Sequence, residues 1–141
     1  MSFKADLEYG NRIQRQVLCS HYSDLVCREI EWNCKEFDVV VFRDGKHQFF
    51  EFKADRRAAE TGNLAIEMMC NRKPSGIAAT KADFWIHCVC RGEEVLEVYE
   101  VPVKILNEMI HLSQYDTIRE CDEGKNVMYI FKKDKFAQWR I

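Results

Sequence analysis

The sequence predicts an α/β fold, a mixed β-sheet of five or six strands flanked by helices, in a single domain over residues 1–141. Three observations lead there. Short β-branched and aromatic runs recur through the middle of the chain. Stretches of helical periodicity stand at 3–19 and 103–112. Turn signals built on Gly, Asn and Asp separate the runs. At 47% hydrophobic and 31% charged residues, the chain is large enough to bury one sizeable core. It has no repeats or linkers. No apolar run approaches a membrane span, and MSFKADLEYG lacks the hydrophobic region of a secretory signal. Seven cysteines without an export signal point to a reducing, cytoplasmic compartment. None forms CxxC, so buried free thiols are expected rather than a zinc site.

Residues 3–19 read as the first helix. Leu7, Ile13, Val17 and Leu18 form its apolar stripe, with Phe3 behind them, and Gly10 is a weak point. Within 21–35, Ser23-Asp24 would cap a short helix carrying Leu25, Val26 and Ile30, with Trp32 near the next element. His21 reads as a surface histidine. Residues 38–53, DVVVFRDGKHQFFEFK, read as a β-hairpin turning at Asp44-Gly45, a pair that tolerates positive φ at both positions. A polar loop with room for a helical turn follows over 54–63. Leu64–Cys70 is a third strand, interrupted by Glu67 and expected beside the second hairpin strand. A turn spans 71–77, and 84–90 is a fourth strand. Residues 93–103 alternate as a fifth strand ending at Pro102. The helix over 103–112 turns Ile105, Leu106, Met109 and Ile110 inward. A last strand covers 127–131. Lys132, Lys133 and Lys135 read as a solvated basic tail, and Trp139 as packing on the core or serving a partner.

The chemistry lies in the residues that interrupt the hairpin. Strand side chains alternate, so Glu51 and Lys53 share a face, about 7 Å apart. Antiparallel pairing brings Asp38 beside them. Two carboxylates on a partly buried sheet repel each other unless a cation lies between them. Hard oxygen ligands with room for water suit Mg²⁺ or Mn²⁺ rather than Zn²⁺. A carboxylate pair plus a lysine suits phosphodiester hydrolysis.

Asp38, twelve intervening residues, then Glu51-Phe52-Lys53 resembles the D…(E)xK core of the PD-(D/E)XK nuclease superfamily. Within it, the hairpin is similar to the small Holliday-junction-resolvase-like branch and to small phage-encoded nucleases. Phe37 stands where the superfamily name places proline. The strings TGNLAIE and SGIAATKAD extend the likeness to phage-type nucleases over roughly residues 37 to 90. The resemblance implies a restriction-endonuclease-like fold. It also implies a Mg²⁺-dependent deoxyribonuclease, an endonuclease, with branched or structured DNA among its open substrates. Asp38 and Glu51 would then be metal ligands and Lys53 the catalytic lysine. A glutamate on the first helix often completes such sites: Glu8 is the candidate by chain position and Gln14 the alternative. Glu67 is a third acid near the metal or a structural partner for Lys53 or Arg56. Alternatives are an inactive DNA-binding accessory domain of the same fold, and a ribonuclease.

The formal net charge is −2, but positive charge gathers after the hairpin. From Phe52 to Ala82, Lys53, Arg56, Arg57, Arg72, Lys73 and Lys81 outnumber Asp55, Glu60 and Glu67, six to three. A phosphate backbone would lie there. Thr61, Asn63, Ser75 and Thr80 offer neutral hydrogen bonds to phosphate oxygens. Cutting both strands would need two active sites, which a homodimer supplies by symmetry.

Overall fold

A computed structural model describes residues 2–30 and 36–141. Helix α1 (Phe3–His21) starts where Ser2 Oγ accepts a hydrogen bond from Ala5 N at 3.1 Å. Ile13 and Val17 are buried as expected, with Tyr9 and Gln14. Tyr9, Ile13 and Val17 are four residues apart, so one stripe takes all three inward. Phe3 and Leu7 fall outside it and are 84% and 47% exposed.

The short helix expected within 21–35 is a strand, β1 (Val26–Glu29), paired antiparallel with β2 (Val39–Arg43). Ile30 N extends that pairing by donating to Asp38 O at 2.8 Å. A four-residue stretch led by β-branched Val26 gains more from a sheet edge than from an isolated helical turn. The expected place of Trp32 lies outside the described residues. The hairpin forms as read: β2 pairs with β3 (Lys46–Asp55) from Val39↔Phe50 to Arg43↔Lys46. Asp44 and Gly45 both have positive φ, 58° and 76°.

β3 runs five residues beyond its pairing with β2. There it lies parallel to β6 (Phe84–Arg91), which pairs antiparallel with β7 (Glu94–Pro102). The result is a mixed five-stranded sheet ordered β1-β2-β3-β6-β7. The short helix α2 (Ala58–Thr61) follows β3. β4 (Asn63–Cys70) then enters a second sheet, not the edge of β3. This sheet, ordered β5-β4-β9-β8, holds β5 (Lys73–Pro74), β8 (Thr117–Cys121) and β9 (Asn126–Lys132). The expected mixed sheet forms with five strands, and a second sheet of four stands beside it, because β4 buries Leu64 and Ile66 in the core between them. β8 was not anticipated from sequence. Its Thr117 to Cys121 alternate too little to signal a strand.

Two cores result. α1 covers one face of the first sheet, burying Val39, Val41, Phe50, Ile86 and Cys88. On the other face Trp85, Val89 and Val101 meet β4, β9 and α3 (Val103–His111), with Phe136 from the 3₁₀ turn Lys133–Trp139. The C-terminal lysines are tied to the fold: Lys133 pairs with Glu97 at 2.9 Å and Lys135 with Asp116 at 3.0 Å. Trp139 packs 6.2 Å from Phe136. Cys88 and Cys90 are buried free thiols, whereas Cys19, Cys70 and Cys121 are exposed. No described helix is long and apolar enough to cross a membrane.

The two sheets are joined through buried Asp55, the last residue of β3. Its Oδ1 accepts from Arg57 N at 3.1 Å and Ala58 N at 3.0 Å. Its Oδ2 accepts from Ala65 N of β4 at 3.4 Å and bonds His87 Nε2 of β6 at 2.8 Å. Trp85 Nε1 donates to His87 Nδ1 at 3.0 Å, so the ring carries its proton on Nε2 and donates it to Asp55. Burial pushes the Asp55 carboxyl up, but the hydrogen bonds from His87 and from Arg57 and Ala65 N outweigh it and hold the group at about 2. Asp55→Ala should cost about 3 kcal/mol, read from denaturant midpoints, because it orphans several buried donors. The wild type should also lose stability as pH falls from about 4 towards 2, where Asp55 takes up a proton in the unfolded chain first. That part of the acid limb should vanish in the variant.

Candidate active site

The site is built where β3 outruns β2. Among the described residues no strand borders β3 beyond Phe50 on that side. Asp38, just before β2, fills the gap. Its backbone N donates to Phe50 O at 2.8 Å, and its Oδ2 accepts from Phe52 N at 2.8 Å. The register puts Asp38 opposite Glu51 on one face of the sheet. Lys53 is two residues on and shares that face. It is the face turned towards β4, while Phe50 and Phe52 point into the core under α1.

The electrostatics follow from burial and from this placement. Burial pushes the Asp38 carboxyl up, and the bond from Phe52 N opposes the shift. Glu51 is pushed up to about 8, first by burial and then by the charge of Asp38, with Glu67 adding a smaller push. A hydrogen bond from Thr80 and the charge of Lys53 act against it. Thr80 Oγ1 lies 3.4 Å from Glu51 Oε2 and 3.0 Å from Glu36 O. Two acids with raised pKa values, a lysine and a hydroxyl therefore stand close together at this edge.

Glu67 stands on β4 in the second sheet rather than on a strand beside β3, and its charge adds only the smallest of the pushes on Glu51. Its backbone is fixed by Gly76, which opens the 3₁₀ turn Gly76–Ala78. A Cβ on Gly76 would stand 2.2 Å from Glu67 O, and φ there is +51°, so only glycine fits. Thr80 hangs from the same turn, through Thr80 N to Gly76 O at 2.9 Å.

Glu8 is not brought to the site. It faces a different depression, shared with Arg12 and Glu93. Gln14 does line the depression that includes Asp38 and Lys53, and its Nε2 donates to Glu29 Oε1 at 3.2 Å. The two positions are about 120° apart around a helix, so one helix cannot turn both to the sheet edge.

The residues read as nucleic-acid contacts divide. Arg57, Arg72, Lys73 and Lys81 are exposed, the last pairing with Glu36 at 3.4 Å. Arg56 bonds Asp6 at 2.9 Å and lies 4.5 Å above the Tyr9 ring. Thr61 Oγ1 donates to Arg57 O at 3.2 Å and accepts from Asn63 N at 3.2 Å, which closes the turn after α2. Ser75 Oγ is buried without a protein partner, so it offers nothing to an external phosphate.

Sequence reasoning missed Trp85 and His87, hidden inside the apolar run FWIHCVC. It also missed Thr80 as a partner of Glu51. The signal available was the TKAD string, with a hydroxyl three residues before the strand-leading Asp83. As a cation site the donor set is hard oxygen: Asp38, Glu51 and the Thr80 hydroxyl. Among the described residues no group of three or more His, Cys, Asp or Glu side chains is placed to hold a metal ion, so the protein would supply two carboxylates and water the rest. Two carboxylates that resist ionising side by side, with open positions, fit a hydrated Mg²⁺ or Mn²⁺ better than a Zn²⁺.

No known protein family matches the sequence, and no curated protein matches it. Among solved structures, the chain is similar to a bacterial homing endonuclease, I-Ssp6803I. The match has a TM-score of 0.50 at 18% identity, over 74% of this chain and 67% of that one. This likeness shows the fold: a mixed α/β arrangement consistent with the restriction-endonuclease-like architecture.

Proposed function

We propose that this chain is a metal-dependent deoxyribonuclease, an endonuclease of the PD-(D/E)XK type. The observation that carries the reading is the pair of desolvated acids, Asp38 and Glu51, facing each other beside Lys53 at the uncovered edge of β3. A fold built only for stability would not retain two acids that raise each other's cost of ionisation. The likeness to a homing endonuclease supports the same reading.

In this mechanism Asp38 and Glu51 would hold Mg²⁺, with Mn²⁺ as a substitute, and Thr80 would orient the Glu51 carboxylate. Bound there, the ion supplies Lewis-acid stabilisation of charge building on the phosphoryl oxygens. Lys53 positions the attacking water through its Nζ protons and offsets negative charge on the phosphate. Glu67 adds a third acid from β4. Arg57, Arg72, Lys73 and Lys81 contact the phosphate backbone on either side. Gln14, not Glu8, is the α1 residue that serves this site.

Asp38→Ala and Lys53→Ala should each lower Mg²⁺-dependent DNA cleavage by at least about 100-fold while circular dichroism stays unchanged. Full activity in both would end the reading, and RNA run beside DNA decides between the two polymers.

A second test needs no turnover. An acid whose folded-state pKa is raised keeps a proton that the unfolded chain releases. Without metal, stability should therefore fall as pH rises from about 4.5 to about 8, the range over which Glu51 is shifted. Mg²⁺ should restore it by stabilising the ionised pair. Glu51→Gln should raise the metal-free Tm at pH 8 and remove the Mg²⁺-dependent gain, as measured by scanning calorimetry with chelator and with Mg²⁺.

A further inference from the structure

The N-terminal half of α1 carries two large apolar side chains that the fold leaves outside its cores. Phe3 is 84% exposed and Leu7 47%. Both line a depression of about 410 Å³ between α1 and the uncovered edge of β3, and Asp38 and Lys53 belong to the same depression. Leu7, Asn11 and Gln14 fall on one helical stripe facing it. The Asn11 side chain makes no hydrogen bond among the described residues, and Gln14 spends its Nε2 on Glu29 and keeps its carbonyl oxygen.

The charges in the depression cancel. Asp6 and Asp38 stand against Lys53 and Arg56, and Asp6 holds Arg56 at 2.9 Å. A cleft built to carry a second stretch of phosphate backbone would be basic. This one offers apolar surface, an aromatic ring and two side-chain amides. That is the chemistry that takes a nucleobase, with its flat apolar faces and polar edge. A base held here would belong to a nucleotide adjoining the phosphate at Asp38 and Lys53. In a matched duplex that base is locked in the stack, and extracting it costs a few kcal/mol; an unpaired base avoids most of that cost.

We propose that this depression is a nucleobase pocket, and that the substrates are DNA structures presenting an unpaired nucleotide at the cut, such as a bulge, flap or open junction. The proposal rests on the nuclease reading and narrows it to a substrate class.

The experiment compares matched duplex with the same duplex carrying one unpaired 2-aminopurine. Binding is read in EDTA by fluorescence, for the wild type, the double variant Phe3→Ala/Leu7→Ala, and Asn11→Ala. The wild type should bind the bulged DNA more tightly and change its 2-aminopurine emission. The double variant should lose about tenfold on the bulged DNA and nothing on the duplex, the scale of one base–aromatic stack. Asn11→Ala should lose less, on the same substrate only. Equal wild-type affinity for both DNAs, or equal losses on both, would overturn the pocket. So would sedimentation showing that the double variant turns a dimer into a monomer, since Phe3 and Leu7 would then belong to a second copy. Adding Mg²⁺ separates the two ideas. Cleavage without preference for the unpaired site sinks the pocket and leaves the nuclease. Selective binding with no cleavage of any DNA sinks the nuclease and leaves the pocket.

Discussion

One buried carboxylate holds the two halves of this molecule in register. Asp55 ends β3, caps α2, takes an N–H from β4 and receives the His87 proton from β6. Glu51 belongs to one sheet and Glu67 to the other, so their approach depends on how the sheets are set against each other. Hydrophobic burial between sheets is non-directional and would tolerate sliding. Hydrogen bonds to a fixed carboxylate would not, and Trp85 narrows the choice further by fixing the His87 tautomer. The joint lies two residues beyond Lys53, so the segment that carries the lysine is anchored at the point where β2 no longer supports it.

The site itself works against the fold. Asp38 and Glu51 are both shifted towards their neutral forms by desolvation. The fold tolerates this because the surrounding contacts are strongly stabilising: Phe50, Ile86 and Cys88 fill the core behind the hairpin, and Trp85 and Val89 the core before it. A stretch of local electrostatic cost inside a well-packed sheet is the expected form of a functional site.

Much of this was legible in the chain. The hairpin was, because Asp44-Gly45 permits one turn type and the alternation around it permits one register. The convergence of Asp38, Glu51 and Lys53 on one face was legible for the same reason. The division into two sheets was not. Leu64 and Ile66 announce a buried strand, but nothing in their pattern says whether the strand is buried at an edge or against a face. β1 was obscured by a stretch too short for periodicity to speak. Glu8 and Gln14 differ only in helical phase, and Tyr9 rather than Leu7 sets that phase. His87 and Trp85 were hidden by their setting, since an aromatic and a histidine in an apolar strand read as core.

The contact between Gly76 and the Glu67 carbonyl has a consequence for descent. On the proposed nuclease reading, a lineage that abandoned cleavage would be released from keeping Asp38 or Lys53. It would not be released from Gly76, where a single methyl would collide with the main chain of β4. Degenerate cousins of this protein should thus be recognisable by a glycine nine positions after the β4 acid, long after their acids have drifted away.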